Sequence, residues 1–254
     1  MQEIEFLGFK LNTLLMEIQL PEQKLLDLKD QCKKLLMEKK TTVLALAKLI
    51  GRMTSTLEAI RPGPLNYRKL QMCKTKGLLQ GQSYGARVTL SAECLEELRW
   101  WCYNVEQWNG RALLTPGPDM TISTDASNSG WGAQWGSSQI KGSWSSDEMR
   151  WHINAKELKA VELAVRAFTK SKDSIQVHCE CDNRTAVAHI NRMGGTRTSM
   201  MVQMTKDLWR YCQGKRIELM AEHIPGKLNL MADQLSREKA ESSNWKLDWT
   251  YSTS

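Results

Sequence analysis

The sequence predicts an α/β protein: a mixed five-stranded sheet flanked by helices, preceded by a mainly helical region. Three observations lead there. Downstream of residue 119 the hydrophobic pattern runs strand, strand, strand, helix, strand, helices, strand, helix, an order that suits an α/β layer with a mixed sheet. Upstream, residues 22–110 show apolar positions at helical spacing. Between the two, "LLTPGPDM" (Leu113 to Met120) interrupts both patterns with two prolines and a glycine, which marks a domain boundary.

Composition narrows the class. The chain has 254 residues, and its 41% apolar content is enough to build real cores. No run of eighteen apolar residues occurs, and "MQEIEFLGFK" lacks the layout of a signal peptide. Neither a membrane span nor secretion is expected, so the chain reads as intracellular, with cytoplasm and nucleus undecided. Seven scattered cysteines without paired CxxC sets read as reduced core thiols. Of these, Cys179 and Cys181 share one strand face. The net charge of +7 is uneven: residues 1–118 hold 17 basic against 12 acidic side chains, and residues 119–254 hold 18 against 16. Such an excess is compatible with binding a phosphate backbone, and equally with solubility alone.

Taken in order, Pro21 stands where a helix can begin, and Leu25, Leu28, Cys32, Leu35 and Leu36 then recur opposite a row of lysines. Thr41 and Thr42 are placed to cap a second helix, through Leu46, Ile50 and Met53 to the "RPGP" break. A third helix starts beyond Ser91 and carries Leu95, Leu98 and Cys102 on one face. Beyond the boundary, Thr121 to Asp125 is a strand, followed by two short strands rich in tryptophan. "NAKELKAVELAVRAF" is a helix with Asn154 placed as its cap. "SIQVHCECD" alternates as a strand ending at Asp182, and helices follow from Asn183 and from about Thr198 to Cys212. "RIELMAEHI" is the last strand and "NLMADQLSR" the last helix.

Four acids fall at strand ends and helix starts, which converge at one edge of an α/β sheet. Asp125 and Asp182 end strands, Glu157 lies in the first turn of its helix, and Asp233 opens the last helix. Three of them, taken alone, have an ordinary explanation. Acids favour helix N-termini, which covers Glu157 and Asp233, and Asp182 before Asn183 suits an Asx cap. Asp125 has no such local role. Four carboxylates brought together repel one another unless cations sit among them, and Mg²⁺ takes a few carboxylates plus water and phosphate oxygens. Two such ions can activate water and stabilise the leaving oxygen of a phosphodiester.

"TDASNSGWGA", "WHINAKELKAVELA", "CDNRTAVAHI" and "HIPGKLNLMADQLSR" resemble, in order, the four motifs of type 1 ribonuclease H. The form is the one carried by retroelement reverse transcriptases, DIRS-like and LTR-type. The resemblance covers roughly residues 119–240 and implies an RNase H-like fold. It implies an endoribonuclease that cleaves the RNA strand of RNA/DNA hybrids with two Mg²⁺ ions, for which Mn²⁺ can substitute. The metal-binding, catalytic acids would be Asp125, Glu157, Asp182 and Asp233. Asn154 would contact the minor groove of the hybrid, and Asn128 and Thr185 would touch substrate. His223 has the spacing of a mobile catalytic histidine before the last acid, but "EHIPGK" can also be read as a strand end with a shortened loop.

The resemblance extends upstream. "FLGFKLNTLLMEIQLPEQKLLDL" is similar to the end of a reverse transcriptase palm. Residues 1–21 would then be a palm-end hairpin remnant, 22–115 a thumb- or connection-like region, 119–240 the RNase H-like domain and 241–254 a tail. Palm and fingers would be upstream partners within a polyprotein. No Asp-Asp pair occurs, so polymerase activity is not expected. Two other readings stay open on sequence: a catalytically silent or domesticated nucleic-acid-binding module, and a DNA-cutting relative of the same architecture.

Overall fold

The computed structural model describes residues 2–81, 83–114 and 117–238; the tail expected at 241–254 lies outside the described residues. In the first part of the chain the strands are β1 (Glu3–Phe6), β2 (Phe9–Asn12), β3 (Glu17–Gln19), β4 (Lys40–Thr42), β5 (Arg87–Thr89) and β6 (Arg111–Ala112). Its helices are α1 (Glu22–Glu38), α2 (Val43–Thr54), α3 (Arg68–Gly81) and α4 (Ala92–Tyr103). There follow β7 (Met120–Ala126), β8 (Gly130–Trp135), β9 (Ser138–Ser143), α5 (Ile153–Phe168), β10 (Gln176–Cys181), α6 (Arg184–Asn191), α7 (Ser199–Gly214), β11 (Glu218–His223) and α8 (Leu230–Arg237). Among the described residues no helix is long and apolar enough to cross a membrane.

Two compact units emerge. One comprises residues 1–118 together with 188–216, the other 119–187 together with the chain from 217 onward. The break after Pro118 falls inside the Pro/Gly stretch, whereas α7, read from sequence as part of residues 119–240, packs in the first unit. Local patterning does not carry that pairing.

In the first unit α1 buries Leu25, Leu28, Cys32 and Leu35, the stripe read from the sequence. Thr42 caps α2 by accepting from the Ala45 N–H, and Leu46, Leu49, Ile50 and Met53 face inward. Trp101 of α4 is fully buried and donates its indole N–H to the Asn66 carbonyl at 2.8 Å. The hairpin expected at 1–21 is a three-strand antiparallel meander, β1-β2-β3, extended by β6. Not foreseen were the antiparallel β4–β5 pair, α3 and the short strand β6.

Helix α3 is held at its start by a side chain from α4. Glu97, 1% exposed, accepts from the Lys69 and Leu70 N–H groups, both at 2.9 Å. Burial pushes its carboxyl up to about 7, against those two hydrogen bonds and the charge of Lys206; the Cys94 thiol also faces it. A folded value above the ordinary 4.5 means that the stability Glu97 contributes is complete below pH 4.5 and is lost as pH rises through 7. Glu97→Gln carries no titrating group, so the native chain is expected to lose melting temperature relative to the variant across that window. Parallel melting curves from pH 4.5 to 8 would refute this role.

The second unit is built on a mixed sheet of order β11-β10-β7-β8-β9. β10 runs parallel to both β7 and β11, and β8 and β9 are antiparallel. Helices α5 and α8 pack on this sheet, α5 against β7, β8 and β10, and α8 against β7, β8 and β9. This is the five-stranded mixed sheet flanked by helices that the sequence predicts. Alternation sets the faces of β10: Val177, Cys179 and Cys181 are buried while Gln176, His178 and Glu180 are not. All seven cysteines are free thiols.

Candidate functional site

β7 and β10 are neighbouring parallel strands, paired in register through Thr124 and Cys181. Asp125 and Asp182 each follow that pair by one residue, so the two acids leave the same end of the sheet side by side. Asp125 is 4% exposed on a central strand, opposite Gly132 of β8. Burial pushes its carboxyl up, the charges of Asp182 and Asp233 push further, and a hydrogen bond from Ser236 and the Arg237 charge oppose them.

Glu157 stands in the second turn of α5, because the helix begins at Ile153, earlier than the sequence indicated. Asn154 is therefore not the cap: His152 fills that position, its Nδ1 accepting from the Asn154 N–H at 3.2 Å. One turn into the helix, Glu157 gains little from the helix dipole, and the ordinary explanation of its presence falls away. It is 3% exposed. Burial pushes its carboxyl up to about 9, with Asp125 and Asp182 adding to the effect, while hydrogen bonds with the Cys181 thiol and the Ala126 N–H oppose it. The Cys181 Sγ donates to Glu157 Oε2 at 3.8 Å.

Asp233 lies in the first turn of α8, whose approach to the sheet depends on glycine. A Cβ on Gly132 would stand 2.4 Å from the Leu235 Cβ and 2.8 Å from the Ala232 carbonyl oxygen and the Ser236 nitrogen. The start of the helix is tied to β7 by Asn229, 2% exposed, which donates Nδ2 to the Thr124 carbonyl at 2.9 Å. Arg237, one turn after Asp233, places Nε at 2.8 Å and Nη2 at 2.6 Å from Asp233 Oδ1. Its guanidinium also feels Asp125 and Asp182.

The four acids of the sequence reading thus act on one another across one sheet end. Among the described residues the group whose candidate ligand atoms all lie within 4.8 Å of one another is Glu157, Cys181 and Asp182; Asp125 and Asp233 fall outside it. Cys181 is a poor ligand there. Burial, then Glu157, push its thiol well above its usual range, and as a protonated donor it orients Glu157. With the thiol set aside, the donor set is carboxylate oxygen, two of its members buried and crowded by like charge. That chemistry fits a divalent cation.

Around the acids, Asn154 Oδ1 accepts from Asn183 Nδ2 at 3.0 Å, and Asn183 Oδ1 caps α6 by accepting from the Thr185 and Ala186 N–H groups. Asn183, not Asp182, is therefore the Asx cap, which leaves the Asp182 carboxylate uncommitted to the helix. Asn128 and Thr185 are exposed. The buried Lys156 donates Nζ to the Asn128 carbonyl at 3.4 Å and so supports that loop. His223 is the last residue of β11, on the strand and opposite Cys181. Sequence reasoning missed Cys181, Asn183, Asn229, Ser236 and Arg237. The available signals were the inward alternation that continues to Cys181, and the four-residue spacing from Asp233 to Arg237.

No family model matches the chain. Over 140 residues, 50% of this chain, it is 27% identical to the "Enzymatic polyprotein" of Figwort mosaic virus (strain DxS), and it spans only 20% of that polyprotein's length. Similar solved structures include LC11-RNase H1 in complex with RNA/DNA hybrid (TM-score 0.41, 16% identity, 46% of this chain and 93% of that one). RNase H1 from the halophilic archaeon Halobacterium salinarum NRC-1 aligns with TM-score 0.38 and 16% identity, over 46% of this chain and 92% of that one. The foamy viral protease-reverse transcriptase in complex with RNA/DNA hybrid covers 97% of this chain and 32% of its own, with TM-score 0.36 and 12% identity.

Proposed function

We propose that the second unit is an endoribonuclease that hydrolyses the RNA strand of RNA/DNA hybrids, within a retroelement reverse transcriptase polyprotein. The observation that carries the reading is the meeting of Asp125, Glu157, Asp182 and Asp233 at one sheet end, with Asp125 and Glu157 buried in spite of mutual repulsion. Asp125, Glu157, Asp182 and Asp233 would hold divalent ions, Mg²⁺ with Mn²⁺ as substitute, which when bound lower the pKa of water and neutralise charge on a phosphodiester.

The chain's own part is positioning. The Cys181 thiol donates to Glu157, Ser236 ties its own turn of the last helix to the Asp233 carbonyl, and Asn229 ties the Asp233 helix to β7. Asp182 and Asp233 are the more accessible pair, suited to meeting substrate. Asn154, aligned by Asn183, together with exposed Asn128 and Thr185, would supply hydrogen bonds to the minor groove, where 2′-hydroxyls mark the RNA strand. In hydrolysis a water oxygen bonds to phosphorus and the bond from phosphorus to the 3′-oxygen breaks, leaving 3′-hydroxyl and 5′-phosphate ends. His223, fixed in the β11 ladder, would serve the strand. The first unit would act as the thumb- or connection-like support of the larger enzyme.

The test is cleavage of an end-labelled RNA strand annealed to DNA, with Mg²⁺ and with chelator. Metal-dependent cutting of the RNA strand alone is expected. Binding without cutting would replace the reading with a silent module, and cutting of duplex DNA would replace it with a DNA nuclease.

A further inference from the structure

Of the four acids at the sheet end, Asp233 is the one with a cation against it. Arg237, one turn further along α8, places Nε at 2.8 Å and Nη2 at 2.6 Å from Asp233 Oδ1, and its side chain is 70% exposed. The backbone beneath it is anchored, because Ser127 Oγ donates to the Ser236 carbonyl at 2.6 Å. The next acid along the chain does not draw it away: Glu238 accepts from Lys141 Nζ and from Gln234 Nε2, both at 2.8 Å. Lys156, the basic residue beside Glu157 in the chain, donates instead to the Asn128 carbonyl. A guanidinium with a fixed root and an exposed head therefore sits on a carboxylate that a divalent ion would need.

We propose, resting on the divalent-ion site inferred above, that Arg237 is its displaceable counter-cation: it exchanges places with the ion on Asp233 and so sets the ion concentration at which the site fills. Both contacts of Arg237 use the same oxygen, Oδ1, so that oxygen cannot serve guanidinium and ion at full strength together. The pair stands in water, where a salt bridge is weak and its partners part readily. Asp125 and Asp182 nevertheless favour a positive charge at this end of the helix, which keeps Arg237 in place until a stronger cation arrives. The site is competent for the ion only in the fraction of molecules whose Asp233 is released, and the apparent affinity falls by that fraction. If Asp233 instead kept Arg237 while the ion bound elsewhere, removal of Arg237 would matter no more than removal of any nearby positive charge.

The test is calorimetric titration of the full chain with Mn²⁺, without nucleic acid, on the native protein and on Arg237→Gln, Arg237→Lys and Lys141→Gln. The last variant removes the same charge from Glu238, the neighbouring acid, and so controls for the overall field. Arg237→Gln is expected to bind Mn²⁺ roughly threefold more tightly than the native chain, the gain that release from a weak exposed pair allows. Arg237→Lys, with one compact ammonium in place of the fork, should fall between the two. Lys141→Gln should keep the native affinity. Equal affinity in the native chain and Arg237→Gln, or the same gain in Lys141→Gln, would overturn the proposal and leave the ion site standing. A native chain that takes up no Mn²⁺ would overturn the proposal together with the ion site on which it rests.

Discussion

Asp125→Asn is expected to melt at a higher temperature than the native chain when divalent ions are chelated, and to cut an RNA/DNA hybrid roughly a thousandfold more slowly when they are present. The two effects have one cause. In the native chain a 4% exposed carboxylate stands beside Asp182 and Asp233, and burial together with those two charges raises its pKa. An amide has nearly the same shape and removes the buried charge, so desolvation and repulsion both fall. Glu157, whose carboxyl is raised partly by Asp125, is relieved as well.

With Mg²⁺ added the order should reverse, because a ligand that binds only the folded state raises stability with the logarithm of its concentration over its dissociation constant, and the variant binds it less well. Thermal melts of both chains in chelator and in excess Mg²⁺, alongside the cleavage rate, check this. A variant that melts lower than the native chain in chelator, or that cuts at a near-native rate, would remove Asp125 from the proposed metal site. A merely structural aspartate would show neither the sign change nor the rate loss.

Much of this arrangement is legible in the sequence because its signals are local. The alternation in "QVHCEC" fixes which face of β10 is buried, and the spacing of Leu25, Leu28, Cys32 and Leu35 fixes the inner face of α1. The four acids are legible because strand ends and helix starts can be counted along the chain. The rest depends on pairings between distant segments. α3 reads poorly as a helix: "RKLQMCKTKGLLQG" is basic and polar, with Gly77 in its body. That glycine is explained by close packing against β5 and α2, since a Cβ there would meet the Val88 Cγ1 at 2.3 Å and the Val43 Cγ2 at 3.1 Å. The N-terminal hold on α3 likewise comes from Glu97, 28 residues from the N–H of Lys69 that it accepts. The cap of α5 was misread because Asn154 is a strong capping residue by type, whereas His152 performs that role from a position two residues earlier. The attachment of α7 to the first unit has no local signal at all.

Gly132→Val tests whether close packing of α8 places the last acid. Any side chain at this position of β8 points into the backbone of α8, with contacts of 2.4 Å to the Leu235 Cβ and 2.8 Å to the Ala232 oxygen and the Ser236 nitrogen. Two of the three obstacles are main-chain atoms and cannot rotate away, so the helix must move, at a cost of about 3 kcal/mol. The movement carries Asp233 and Ser236 away from Asp125 and works against the Asn229 tether. Hybrid cleavage should then fall roughly a hundredfold even where the protein remains folded, because a shift of about 1 Å in a reacting group costs that much. Gly136→Ala is the control from the same strand pair. It lies at φ +56° with nothing within 4 Å of a Cβ, so it should cost about 1 kcal/mol in backbone strain and leave cleavage unchanged. Denaturant melts and cleavage rates measured on both variants below their melting temperatures separate the cases. If Gly132→Val kept native activity once folded, α8 would tolerate displacement, and Asp233 would lie outside the set of residues whose position matters for cleavage.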